Sequence, residues 1–266
     1  MSNALPASVT LSHSGTTAEL ARDDLTEGGV VLTIDGAEQS HVEVGDPEFL
    51  LHDYLRRMRS VLTACEPAAE SILHLGAGAL TLPRWAAHRW RGVHQSVVDI
   101  EPELVSFVLE HLPMVPAPES VVADAALVLT PDGELAGRVF GVVVVDLFNS
   151  SAAAAELSSP EFFSTVWSAV GPDGLLLVNF GDEADMSFSR RLTNTMLDAV
   201  GQQNNDDAAS TLLTAPADVL AAQAEGNVVF AASRRGFNEP QLAQVWAAGP
   251  HPGDVLTGDQ LQTWCR

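Results

Sequence analysis

The stretch "ILHLGAGALTLPRW", Ile72 to Trp85, runs an apolar strand into a glycine-bracketed turn and then into a helical pattern. Glycines at 76 and 78 let backbone turn tightly and approach a ligand closely, so the reading of this turn decides the fold. Downstream, "HQSVVDI", "ESVVADA", "FGVVVVDLF", "GLLLVNFG" and "NVVFAAS" are further short apolar runs, and most of the segments between them are long enough for helices. Continuous apolar strands alternating with helices predict an α/β protein built on a doubly wound, mostly parallel sheet.

In such a sheet, ligands bind beyond the carboxyl ends of the strands. Three of those ends carry an acid: Asp99 closes the second run, Asp124 follows the third and Asp146 sits in the fourth. Asp99 stands 21 residues after Gly78, the separation at which an acid can accept both hydroxyls of a ribose. Thr81 occupies the place of the third glycine in G-x-G-x-x-G, which speaks against a nicotinamide or flavin dinucleotide. An adenosine-containing ligand such as S-adenosylmethionine fits better. The competing reading is steric and local: glycine for a tight turn, and each acid a cap for the next helix.

Upstream, "GGVVLTIDGAEQSHVEV" gives two β-branched runs, Val30 to Ile34 and His41 to Val44, separated by "DGAEQS" with Asp35 and Gly36 as turn formers, the pattern of a hairpin. Leu50, Leu51, Tyr54, Leu55, Met58 and Leu62 fall at helical spacing, with Asp46 and Pro47 as the expected start of that helix. Residues 1–20 read as a loose lead-in. The expected division is a hairpin-and-helix region over residues 1–64 and a Rossmann-like domain over 65–266.

The chain has 266 residues, 35 acidic against 13 basic, and a formal charge of −22. That field disfavours nucleic acid and favours small cations such as polyamines, although an acidic surface also serves plain solubility. No run approaches the roughly 18 apolar residues of a membrane span, and the expected compartment is the cytoplasm. Cys65 and Cys265 lie far apart in sequence and form no C-x-x-C pair, and His88 and His94 lack the company a metal site needs, so no metal is expected.

Taken in order, the glycine turn, "VVDIEPELV", "VVADA" and "FGVVVVDLFNSS…LSSPEFFSTVWSAVGPDGLLLVNFGD" resemble the spermidine synthase family of aminopropyltransferases. "LTIDGAEQS" is similar to that family's L-D-G-x-x-Q hairpin, and "DPEFLLHDYLRRM" to the helix after it; the resemblance spans roughly Gly29 to Ser233. It implies a methyltransferase-type fold, a homodimer, and aminopropyl transfer from decarboxylated S-adenosylmethionine to a di- or polyamine. It further implies that Gln39, Gly76, Gly78, Asp99, Asp124 and Ala125 hold the donor, that His52, Tyr54 and Asn149 lie on the amine side, and that Asp146 is catalytic.

Three positions depart from the pattern. Ala79 stands where the glycine loop G-G-G-D-G-G has its acid, and Asn149 where D-S-S-D has its second carboxylate. Leu51 falls where a substrate tyrosine is common, with Tyr54 one turn away, and Glu183 or Asp185 are alternative proton acceptors beside Asp146. The rival expectations are an S-adenosylmethionine-dependent methyltransferase and a non-catalytic nucleoside- or polyamine-binding protein.

Overall fold

The computed structural model describes residues 4–67, 69–148, 155–201 and 210–266. Its elements fall into two compact units, Met1–His52 with Leu73–Ala125, and Asp53–Ile72 with Ala126–Arg266.

The first unit opens with four antiparallel strands in chain order: β1 (Ala7–Thr10), β2 (Thr17–Arg22), β3 (Gly29–Ile34) and β4 (Ala37–Glu43). The β3–β4 hairpin is present as expected, but its second strand begins at Ala37 rather than at His41. Asp35 and Gly36 take φ of +48° and +79°, the two-residue turn whose twist matches antiparallel strands. The loose lead-in expected over residues 1–20 is corrected, because β1 and β2 occupy most of it. Ala18 and Leu20 alternate with exposed Thr17 and Glu19, so a half-buried strand is written there in residues small enough to hide its period.

The same unit continues through β5 (Ser71–Leu75), of which Leu73–Leu75 belong to it, α2 (Thr81–Arg89), β6 (His94–Asp99), α3 (Leu104–His111) and β7 (Glu119–Val122), with β6 and β7 parallel. Leu20, Leu32 and Val42 from the small sheet share one buried cluster with Ala79, Leu80, Val97 and Leu104. At about 1.5–3 kcal/mol per buried aliphatic side chain, this cluster is what binds the hairpins to the glycine turn.

The second unit holds α1 (Asp53–Cys65), β8 (Phe140–Phe148), α4 (Pro160–Ser168), β9 (Val170–Asp182), α5 (Ser187–Gly201), β10 (Thr211–Pro216), α6 (Ala217–Leu220), β11 (Gly226–Ser233), α7 (Glu239–Ala248), β12 (Gly253–Thr257) and α8 (Gly258–Trp264). Its strands lie in the order β12-β10-β11-β9-β8. The pair β8–β9 is parallel, whereas β11 pairs antiparallel with both β9 and β10, and β12 antiparallel with β10. The link Ala217–Glu225 is shorter than the dozen or so residues a parallel crossover needs, which forces β11 to return antiparallel. The chain is thus an α/β protein with a mostly parallel central sheet and a separate four-stranded antiparallel sheet, the class expected from its sequence.

The start expected for α1 at Asp46 and Pro47 is corrected to Asp53. Asp46 instead closes a local turn: its Oδ1 accepts Glu48 N–H at 3.0 Å and its carbonyl accepts Phe49 N–H at 3.0 Å. A side chain that satisfies its own neighbours this way competes with helix formation. On α1, buried Arg57 donates to Asp53 at 2.5 Å, to Thr214 Oγ1 at 3.1 Å and to the Pro250 carbonyl at 3.2 Å. These bonds pin the helix over β10 and fix the direction of its first turn.

Candidate active site

In the first unit the turn between β5 and α2 is fixed largely by its own protein partners. Gly76 and Gly78 take φ of +100° and +47°, and a Cβ on Gly78 would lie 2.4 Å from Ser40 Oγ on β4. Ser40 Oγ accepts the Ala79 N–H at 3.1 Å, and Thr81 Oγ1 donates to the His41 carbonyl at 2.9 Å. Gly78 is therefore required by the hairpin as well as by any ligand. Leu80 holds φ +61° with no glycine to ease it, kept there by complete burial. Ala79 is also fully enclosed, so the place where the resembling family carries an acid contributes a methyl group to the core.

Asp99, at the end of β6, clasps this turn. Its Oδ2 accepts the Ala77 N–H at 3.1 Å and its Oδ1 the Glu101 N–H at 2.9 Å. An ionised carboxylate has about four acceptor positions, and with the Ile100 backbone also acting on it at least one is left for a further donor such as a ribose hydroxyl. Burial pushes this carboxyl above its ordinary range, the charge of Glu101 adds to that, and the backbone donors oppose it. Glu101 is buried and accepts the backbone N–H groups of His13 and Ser14 at 3.1 and 3.0 Å, which ties the β1–β2 turn to the segment after Asp99.

Asp124 is exposed in the loop after β7 and Ala125 beside it is buried; the adjacent Ala123 N–H donates to the Asp99 carbonyl at 3.1 Å. The ends of β6 and β7 are thereby brought together. Gln39 is half-buried on β4 and donates to the Ala37 carbonyl at 3.4 Å. His52 Nε2 lies 3.6 Å from Glu38 Oε1.

In the second unit, three polar side chains converge. Asp146 on β8 accepts from the Tyr54 hydroxyl at 3.2 Å through Oδ2, and from Asn179 Nδ2 on β9 at 2.9 Å through Oδ1. The β8–β9 ladder explains how. Val145 faces Val178 and Phe148 faces Phe180, so Asp146 and Leu147 together oppose the single residue Asn179. Such a bulge re-aims a side chain at the end of a strand. Burial raises the Asp146 carboxyl above its ordinary range, and the two donors oppose that rise. Burial first, and the Asp146 charge second, push the Tyr54 hydroxyl well above its ordinary value, so it stays protonated and donates.

Asn179 was not singled out in the sequence, although an amide interrupting the apolar run "GLLLVNFG" is a readable signal. Tyr54, one helical turn from the position where a substrate tyrosine is common, is the residue that meets Asp146. Asn149 lies outside the described residues. Glu183 and Asp185 are exposed, and Asp185 Oδ1 accepts the Ser187 N–H at 3.0 Å where α5 begins. Among the described residues, no group of three or more His, Cys, Asp or Glu is arranged to hold a metal ion.

No protein-family model matches the chain. No curated protein matches it either. Solved structures do. The probable spermidine synthase of Corynebacterium glutamicum ATCC 13032 superimposes with a TM-score of 0.84 at 21% identity, over 99% of this chain and 94% of that one. A spermidine synthase in complex with the transition state analogue AdoDATO gives 0.52 at 15% identity, over 88% and 73%. Human methyltransferase-like protein 13 in complex with SAH gives 0.51 at 16% identity, over 80% and 89%. At these identities the likeness is one of fold: the chain has the fold shared by spermidine synthases and methyltransferases, as its motifs led one to expect.

Proposed function

We propose that the protein is an aminopropyltransferase of the spermidine synthase type, moving the aminopropyl group of decarboxylated S-adenosylmethionine to a small amine. The observation that carries this reading is the Tyr54–Asp146–Asn179 constellation: one carboxylate, half-buried, held on both oxygens at the end of a parallel strand. An amine is cationic in water and must give up a proton before its nitrogen can attack carbon. A carboxylate whose affinity for protons is raised by burial suits both tasks, binding the cation and accepting the proton. The excess of negative charge, −22, would draw such a substrate in.

In this reading Gly76, Gly78 and Asp99 hold the nucleoside, with Asp99 taking the ribose and Asp124 and Ala125 beside the adenine; Gln39, His52 and Asn149 serve the aminopropyl and amine portions. The state of the glycine turn bears on the donor. The N–H groups of Gly76, Ala77, Ala79 and Leu80 are already given to Val98, Asp99, Ser40 and Ala77. A carboxylate-bearing donor would need such N–H groups, whereas the decarboxylated form would not, which favours aminopropyl over methyl transfer. The neighbours crystallised with AdoDATO and with SAH support an S-adenosyl ligand of one kind or the other. A homodimer acting in the cytoplasm belongs to the same proposal.

The chemistry balances as a single displacement. The amine nitrogen's lone pair forms the new N–C bond as the C–S bond of the sulfonium breaks, and the bonding pair passes to sulfur, giving neutral methylthioadenosine. The proton shed by the amine passes to Asp146. The test is incubation of the purified protein with S-adenosylmethionine, its decarboxylated form and a set of diamines, read by mass spectrometry. Methylthioadenosine with an aminopropylated amine is the expected result; S-adenosylhomocysteine would place the protein among methyltransferases, and neither product would leave a binding protein.

A further inference from the structure

Apart from the candidate active site, the first unit holds a cavity of about 460 Å³ lined by α2, the end of β4 and the loop before β7. Small-molecule sites run from about 300 to 1,000 Å³, so the volume suits one. The lining is mostly apolar, with Pro47, Met114 and Pro116 beside Val44 and Val115, both exposed. Two guanidiniums, Arg84 and Arg91, line the same cavity, and neither has a carboxylate partner among the described residues. Arg84 is held by backbone instead: its Nη1 donates to the Pro113 carbonyl at 3.2 Å and its Nη2 to the Leu112 carbonyl, while its Nε is buried without a hydrogen-bond partner. A guanidinium has five N–H groups, so Arg84 keeps unused donors. Burial pushes its ionisation down to about 10, which leaves it charged at neutral pH and poorly solvated. The other titratable groups at the cavity do not answer these cations. His88 Nε2 lies 3.5 Å from Glu48 Oε1, and those two face each other. Glu43 leans on the turn before β3, where a Cβ on Gly28 would lie 2.0 Å from its Oε1, and its Oε2 is buried. In a chain of charge −22, two arginines without a counter-charge in one apolar hollow call for an anion.

We infer that this cavity is a binding site for a small organic carboxylate with an apolar body, its head group held by Arg84 and Arg91 and its body by the proline- and methionine-lined wall. A planar guanidinium matches a carboxylate through two parallel bonds. Arg84 is already oriented by two carbonyls, so binding costs little side-chain entropy. The wall selects the kind of anion. Phosphate is hydrated on every side and loses by entering an apolar hollow, whereas a monocarboxylate spends one polar end on the arginines and gains from burying the rest. The site stands independently of the reaction proposed above, since none of its residues is assigned there.

The test is calorimetric titration of the purified full chain with three probes that share one body, phenylbutanoate, phenylbutanol and phenylbutylamine, and with acetate and inorganic phosphate. Phenylbutanoate should bind saturably in the millimolar range or tighter, and about tenfold to hundredfold better than the alcohol, the worth of a hydrogen bond to a charged group. Acetate and phosphate should each bind at least about tenfold more weakly, because they bury no apolar body. Arg84→Gln should bring acid and alcohol to within about threefold of each other. Should that variant fail to fold, Arg91→Glu changes an exposed side chain with no hydrogen bond or ion pair to lose among the described residues, and should weaken the acid by about threefold to tenfold while sparing the alcohol. Equal affinity for acid and alcohol would reduce the cavity to an apolar hollow and overturn the inference. So would phosphate matching phenylbutanoate, the amine binding best, or no saturable binding. Displacement of phenylbutanoate by methylthioadenosine, or an acid affinity that Arg91→Glu leaves unchanged, would put the ligand elsewhere and overturn it too.

Discussion

His74 on β5 offers a quantitative test of the scaffold beneath the glycine turn. It is 2% exposed; its Nε2 donates to Gln95 Oε1 on β6 at 2.9 Å, and Gln95 Nε2 donates to the Pro83 carbonyl of α2 at 3.0 Å. This chain of bonds links β5 and β6 to the helix that follows the glycine turn. Burial pushes the imidazole down from its ordinary 6.5 to about 4, with the Gln95 bond opposing. A group whose folded value is depressed binds protons better in the unfolded chain. Its contribution is thus complete above about pH 6.5 and is lost as pH falls towards about 4. At about 1.36 kcal/mol per pH unit, that interval corresponds to about 3 kcal/mol, a sizeable part of a typical 5–15 kcal/mol stability. Urea denaturation of the wild type and of His74→Gln at pH 7.0, 6.0, 5.0 and 4.5 should show the wild type losing stability faster, the gap narrowing by about 1 kcal/mol for each unit below 6.5. Asp99 and Asp146 act in the opposite sense: their raised carboxyls give stability that is greatest at low pH and is lost as pH rises through their folded values. Both are present in the two proteins and cancel in the difference. Parallel stability profiles, or an imidazole of His74 titrating near 6.5 by NMR, would refute the reasoning.

Other perturbations address the site more directly. Asp146→Asn should lower kcat by about 10²- to 10⁴-fold, the usual worth of a positioned proton acceptor, while nucleoside affinity measured by calorimetry stays within about threefold. Tyr54→Phe removes one of two donors to that carboxylate; kcat/KM should fall by about tenfold, and the acidic limb of the pH–rate profile should move up, because a lost donor favours the protonated form. In the wild type that limb should lie above the ordinary carboxylate range, since burial is the largest influence on Asp146. Gly78→Ala should cost about 1–2 kcal/mol from the left-handed backbone alone, with the contact to Ser40 Oγ on top. Adding Ser40→Gly should recover part of that contact penalty in a double-mutant cycle of thermal stability, whereas strict additivity would exclude the clash.

Much of this fold was legible because its signals are local. Asp35-Gly36 writes the hairpin, glycines at 76 and 78 write the turn, and uninterrupted valine or leucine runs write β8 and β9. The first two strands were hidden because their buried positions are held by Ala18 and Leu20 among threonines and glutamates, too few large residues for the alternation to stand out. The start of α1 was misplaced since Asp46 followed by proline is equally the signature of a turn, and only the hydrogen bonds to Glu48 and Phe49 decide between them. Of the candidate residues, Asp99 and Asp146 were readable from their places at strand ends. What brings Tyr54 and Asn179 to Asp146 was not, because a bulge and the angle of a helix depend on partners far away in sequence.

The departures at 79 and 149 gain meaning from that geometry. An acid at position 79 would have to enter a fully buried cluster of Ala79, Leu80, Leu32 and Val42, where an unpaired carboxylate is heavily penalised. Alanine at this position fits the way β4 is stitched to the turn through Ser40 and Thr81 in this chain. Under the proposed function, asparagine at 149 in place of a second carboxylate removes a base but also a negative charge. A lone carboxylate repels no neighbour of like charge, so its affinity for protons is set by burial and by its donors. Among the described residues, Tyr54 and Asn179 donate to Asp146, one on each oxygen, so its basicity is adjustable one bond at a time. Removing the tyrosine hydroxyl and replacing the asparagine amide should each shift the acidic limb of the pH–rate profile upward. If a second carboxylate were the working base, neither change would move that limb.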